Sequence, residues 1–124
     1  MSGGSLSPEK FASDIEAARE KFDVVQSDDV TLLLDLDSPA SLEQFERVLP
    51  KVTDLFGVID VEKWASKSGN THVRVTLAEP MFLSNRLLLQ AALGSDGVRE
   101  VLAMQRMFNG CVEPSVLFRP KANG

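Results

Sequence analysis

The chain has 124 residues, 44% of them hydrophobic and 25% charged, and a formal net charge of −5 with a sequence pI of about 4.8. This is the length and balance of one folded domain with one core, and the acidic surplus excludes a non-specific nucleic-acid coat, which needs a basic surface. The single cysteine, Cys111, excludes an internal disulfide and fits a reducing, cytoplasmic setting, and no apolar run reaches the roughly 18–20 residues of a membrane span.

Residues 1–6, "MSGGSL", read as a flexible lead without a signal-peptide core. Residues 7–22 read as an appended helix. Ser7 suits the N-cap and Pro8 the first helical position, and Phe11, Ile15, Ala18 and Phe22 recur at helical spacing. "DVVQSDD" then reads as a linker, which leaves residues 7–124 as one domain with its core over 30–120.

"VTLLLDL" (Val30 to Leu36) is the strongest strand. It is followed by a helical pattern with Ser38 and Ser41 as cap candidates and Gln44 placed to close a capping box with Ser41. Pro50 falls inside that pattern, where a kink or early end is expected, and Gly57 is a plausible stop. Strands are expected over 58–66 and 71–77, joined as a hairpin by "SKSGNT". Two helices follow, one from Ser84 to Gly94 and one capped by Asp96, with Val98, Val101, Leu102, Met104 and Met107 as the core side of the second. "PSVLFRPK" reads as a closing strand.

The order, β-α-β-β-α-(α)-β after the extra N-terminal helix, is the α+β ferredoxin-like or RRM-like plan, with helices on one face of the sheet and the other face open. Its first and third strands are neighbours. Alternation along the strands gives Leu32, Leu34 and Leu36 one face, and Val73, Val75 and Leu77 the same one. The opposite face then collects Asp35, Asp37, Glu62, Trp64, His72 and Arg74. Polar residues and Asp–Arg or Asp–His cross-strand pairs are ordinary on such a face. Chemistry is the other option: two carboxylates one residue apart can hold Mg²⁺ or Mn²⁺, with Glu62 as a further acid. His72 and Arg74 would bind phosphate, Trp64 would stack on a base, and the hairpin loop with Ser66, Lys67 and Ser68 suits phosphate contact.

"LLLDLDS" followed by "SKSGNTHVRVTL" resembles the archaeo-eukaryotic primase (primase–polymerase) superfamily, whose RRM-like core carries an hhhDhD strand and a later S-x-H-like motif. Related small phage and archaeal-virus domains have an apolar helix pair similar to "RLLLQAALGSDGVREVLAMQR". The resemblance implies nucleotidyl transfer in DNA replication or repair, with Asp35 and Asp37 as metal ligands, His72 on a nucleotide phosphate, and Ser66 or Ser68 as the motif serine. It implies nucleotides and a DNA or RNA template as partners. The family's third acid, on a strand after the histidine motif, has no clear counterpart among Glu79, Asp96, Glu100 and Glu113, and a minimal or degenerate member is within this reading.

Two alternatives stay open. One is a non-catalytic RRM-like module that holds a single strand through Trp64 and Arg74, although such sheets usually show two or three aromatics. The other is a small interaction protein, a homodimer or the partner of a replication protein, that uses the first helix and the two Leu- and Met-rich helices.

Overall fold

The structure, a computed structural model, describes residues 6–121. Nearly all of the expected flexible lead thus lies outside the described residues. At its end, the Leu6 carbonyl accepts a hydrogen bond from Asn109 Nδ2. The elements in chain order are α1 (Pro8–Ala18), β1 (Phe22–Gln26), β2 (Thr31–Leu36), α2 (Pro39–Phe56), β3 (Val58–Ala65), β4 (Thr71–Leu77), α3 (Leu83–Ala92), α4 (Gly97–Phe108) and β5 (Val116–Pro120). No helix among them is long and apolar enough to cross a membrane.

The fold is α+β and compatible with the ferredoxin-like plan. An antiparallel sheet runs in the order β2-β4-β3, so the first strand of the expected plan is the neighbour of the third. Leu34 pairs with Val73 and Leu32 with Val75. Leu32, Leu34, Leu36, Val73, Val75 and Leu77 are almost wholly buried in one cluster with Phe45 and Val52 of α2. Each such side chain removed from water contributes roughly 1.5–3 kcal/mol, which makes this the main core. A bulge between Val58 and Asp60 turns Ile59 to solvent and restores the alternation, so Val61 and Lys63 share the α2 face while Glu62 and Trp64 take the other.

α2 starts at Ser38, whose side chain accepts from the Ser41 backbone while Ser41 Oγ accepts from Ser38 N, which makes the capping box Ser38–Ser41. Gln44, expected in that role, instead donates to the Ala92 carbonyl. The helix runs through Pro50 without ending, because Pro50 lies on its exposed side, where water can take the carbonyl bond that proline leaves free. Gly57, at φ 77°, stops it.

Two expectations are corrected at the termini. The first helix ends at Ala18, and residues 22–26, assigned to helix end and linker, form β1. The run "FDVVQ" alternates weakly, and its strand character comes from pairing with β5, Phe22 opposite Pro120 through Gln26 opposite Val116. β5 therefore does not join β2 at the edge of the central sheet but forms a separate two-stranded ribbon with β1. That ribbon crosses the sheet face expected to be open. The Phe118 carbonyl of β5 accepts from Trp64 Nε1, and Arg119 reaches Glu62. α1 packs on the ribbon's far side, where Phe11 and Ile15 meet Val24, Val116 and Cys111.

The edge of β2 left without a strand is closed by side chains. Leu33 N donates to Gln90 Oε1 at 3.0 Å, Asp35 N to Ser95 Oγ at 3.0 Å, and Arg99 Nη1 to the Leu33 carbonyl at 3.0 Å. The Asp35 carbonyl accepts from Asp96 N at 2.9 Å. Buried Glu100 ties this row together, accepting from Gln90 Nε2 and Ser95 Oγ and pairing with Arg99. A naked strand edge inside a protein must find partners, and α3, α4 and the turn between them meet that need with polar groups. This overturns the expected facing of α4. Arg99, Glu100 and Ala103 point inward, whereas Val98, Val101, Leu102 and Met104 are exposed and Met107 is half-buried.

Candidate functional site

The cross-strand register brings most of the expected polar residues onto one face. Asp35 sits opposite His72, and His72 opposite Trp64; one step along, Leu33, Arg74 and Glu62 form the next row. The ribbon divides this face into two regions with different surroundings.

The first is an ion-pair cluster under β5. Glu62 accepts from Arg74 at 2.5 Å through one oxygen and from Arg119 at 2.7 Å through the other. The Arg119 hydrogen bond, backed by the charge of both arginines, holds the Glu62 carboxyl below its ordinary range against the opposing effect of burial. Trp64 is fixed on three sides. Arg119 lies 4.1 Å from its ring centroid, His72 meets it edge-on at 5.9 Å, and its Nε1–H donates to Phe118 O. Arg74, Glu62 and Trp64, expected as phosphate, metal and base contacts, thus have partners within the chain.

The second region is a pocket of about 340 Å³ at the end of the ribbon, lined by Asp35, Ser66, Lys67, Ser68, Asn70 and His72 with Phe22 and Phe118. The sequence reading named five of these eight. The β3–β4 turn supplies four of the eight, Ser66, Lys67, Ser68 and Asn70. Ser66 N donates to the Asn70 carbonyl, Asn70 N donates back to Ser66 Oγ, and Gly69, at φ 94°, makes the reversal. Ser66 and Ser68 hydroxyls lie 3.1 Å apart at the rim. Lys67 extends over the Phe22 ring at 5.9 Å. Phe22 and Phe118 meet at 5.4 Å between centroids and give the pocket an aromatic wall. Sequence reasoning missed Asn70 and both phenylalanines; Phe22 lay in the expected helix and Phe118 in a closing strand whose neighbour the sequence did not name.

At the base of the pocket, His72 Nδ1 is 3.2 Å from the Phe118 carbonyl. A carbonyl only accepts, so Nδ1 carries a proton. Burial pushes the imidazole pKa below its ordinary value and Arg99 adds to this, against the pull of Asp35 and the Phe118 carbonyl. Above that lowered pKa the ring is neutral, and its bare Nε2 faces Asp35 Oδ1, 3.6 Å away. Asn70 Nδ2 donates to that same oxygen at 3.3 Å.

Asp37, the second expected metal ligand, lies one residue past the end of β2, is exposed and does not line the pocket. Among the described residues no group of three or more His, Cys, Asp or Glu side chains could hold a metal ion together. The pocket offers one carboxylate and one imidazole, and Glu62 is committed to two arginines. Asp35 is thus the one carboxylate that lines the pocket, and Asp37 lies outside it. Comparison with protein-family models, with curated proteins and with solved structures finds no match to this chain.

Proposed function

We propose that the chain is a nucleotide-binding domain of primase-like type that holds a single nucleotide at the β3–β4 turn. The observation that carries this reading is the convergence of Ser66, Lys67, Ser68, Asn70, His72 and Asp35 with two phenylalanines on one pocket. Its volume, about 340 Å³, is at the small end for ligand sites and suits part of a mononucleotide better than a template strand. Lys67 and the two serine hydroxyls supply the charge and the donors for phosphate. The Phe22–Phe118 wall supplies an apolar face for a sugar or base. Asp35 and Nε2 of His72 are both acceptors, and they would read a donor on the ligand, such as an amino or hydroxyl group.

The reading is one of binding and involves no metal step. Nucleotidyl transfer needs a charge-bearing centre beside the phosphates, and the pocket has Lys67 alone. Titration with a nucleoside triphosphate, followed by amide NMR in the absence and presence of Mn²⁺, tests the proposal. Shifts confined to residues 66–72, Asp35 and the β1–β5 ribbon are expected, with several-fold weaker binding in Lys67→Ala. Absence of shifts, or shifts centred on another surface, would refute it. Strict dependence on Mn²⁺, with paramagnetic broadening at both Asp35 and Asp37, would favour the metal-dependent transferase over the binding domain.

A further inference from the structure

The closure of the β2 edge has a second effect. All four charged side chains of α3 and α4 turn inward. Arg86 forms a bidentate pair with Glu113, Arg99 and Glu100 serve the β2 edge, and Arg106 stacks over the Phe11 ring. None of the four is exposed, so the outer side of the two helices shows no open charge to solvent. It exposes Leu88 by 69%, Val98 by 70%, Val101 by 59% and Phe108 by 69%, with Leu102 and Met104 two-fifths exposed. Between the helices runs a groove of about 580 Å³ with Leu87, Leu88, Val101, Met104 and Met107 on its walls; Glu100, the one charged residue that lines it, is buried and neutralised by Arg99.

We infer that this face is the contact between two copies of the chain. Two observations select a second copy as the occupant. The first is charge. The chain carries a net charge of −5, so two copies repel across most of their surfaces, and the α3–α4 face can be juxtaposed with itself without bringing like charges together. A neutral face also gives a charged partner nothing to pair with. The second is extent. The exposed apolar side chains offer on the order of several hundred Å², which matches the largest patches on ordinary monomers and is most of the roughly 800 Å² each partner buries in a stable complex. The same face holds a groove and a projecting ridge, Val98, Val101 and Leu102 on α4. A two-fold axis through it would seat the ridge of one copy against the groove of the other, the isologous arrangement of most small dimers.

The inference is independent of the nucleotide pocket, whose residues lie on other elements. Light scattering and sedimentation of the full chain over a concentration series test it. The wild type is expected at twice 13.6 kDa at high concentration. Val101→Glu and, as a milder change, Leu88→Gln should shift the dimer midpoint at least tenfold toward monomer while circular dichroism stays unchanged. Leu55→Glu, at a residue 65% exposed on α2, should leave the dimer intact. A wild type monomeric throughout, or a dimer insensitive to both α3–α4 substitutions, overturns the inference. So does a monomer that takes up a hydrophobic dye lost in Val101→Glu, which would assign the face to a different protein.

Discussion

Asp35 and His72 face each other across the β2–β4 ladder as two acceptors, Oδ1 3.6 Å from Nε2, because the other ring nitrogen spends its proton on the Phe118 carbonyl of the ribbon. The pair joins three elements: β2 provides the carboxylate, β4 the ring, and β5 the group that fixes the tautomer. A group that can donate would be welcome between them, and that is the part of the pocket where ligand selectivity would reside.

His72 is the only histidine, so it alone among the side chains has an ordinary pKa between pH 5.5 and 7.5. Its pKa in the folded chain is lowered, chiefly by burial. The unfolded chain therefore binds the proton first as pH falls, and stability declines on acidification through and below the ordinary value. Thermal melts should show a lower midpoint at pH 5.5 than at pH 7.5. His72→Asn, which can still donate to Phe118 O, should flatten that dependence. An equal slope in both proteins would place the effect elsewhere.

Glu100 is 6% exposed and accepts from Gln90 and Ser95 while pairing with Arg99. Its loss leaves the Arg99 guanidinium without its counter-charge and the Ser95 hydroxyl without its acceptor beside the β2 edge. Glu100→Ala should cost about 3–5 kcal/mol, the scale for breaking a buried pair from one side. Denaturant unfolding checks this, and hydrogen exchange should quicken at the Leu33 and Asp35 amides.

Trp64 is the single tryptophan, with Arg119 4.1 Å from its ring centroid. Arg119→Ala uncovers the ring, so its emission should move to the red, and because it also removes a partner of Glu62 the loss should exceed the roughly 0.5–1 kcal/mol of a cation–π contact alone. Arg74→Ala removes only the other partner of Glu62 and should leave the emission in place.

Gly94 joins α3 to α4 at φ 101°, and a Cβ there would lie 2.7 Å from the Ser41 carbonyl oxygen. Gly69 has a similar φ, 94°, with nothing within 4 Å of an added Cβ. Gly69→Ala should cost about 1–2 kcal/mol, the price of the left-handed backbone alone. Gly94→Ala should cost more, and the difference in unfolding free energy measures the close approach of the α3–α4 turn to α2.

Much of the central sheet was legible because its signals are local. Period-two alternation in "TLLLDL" and "THVRVTL" specifies which residues share a face, and the Gly-Asn turn specifies the hairpin. The same alternation placed Asp35, His72, Trp64, Arg74 and Glu62 on one side, where the register confirms them. Asp37 was read as the next member of that series, but β2 ends at Leu36, and alternation has no meaning past the last paired residue.

What the sequence by itself determined is the order of most elements, the leucine and valine core and the polar row opposite it, all products of neighbour-to-neighbour periodicity. The tertiary structure alone decided the rest. "FDVVQ" became a strand because β5 was there to pair with it, and the resulting ribbon covered a face that periodicity left open. The strand edge thereby left bare drew Gln90, Ser95, Arg99 and Glu100 inward and turned Val98, Val101 and Leu102 out. Helical spacing shows that α4 has two faces. Which of them points inward depended on the unpaired backbone groups of β2, which lie more than fifty residues away in the chain.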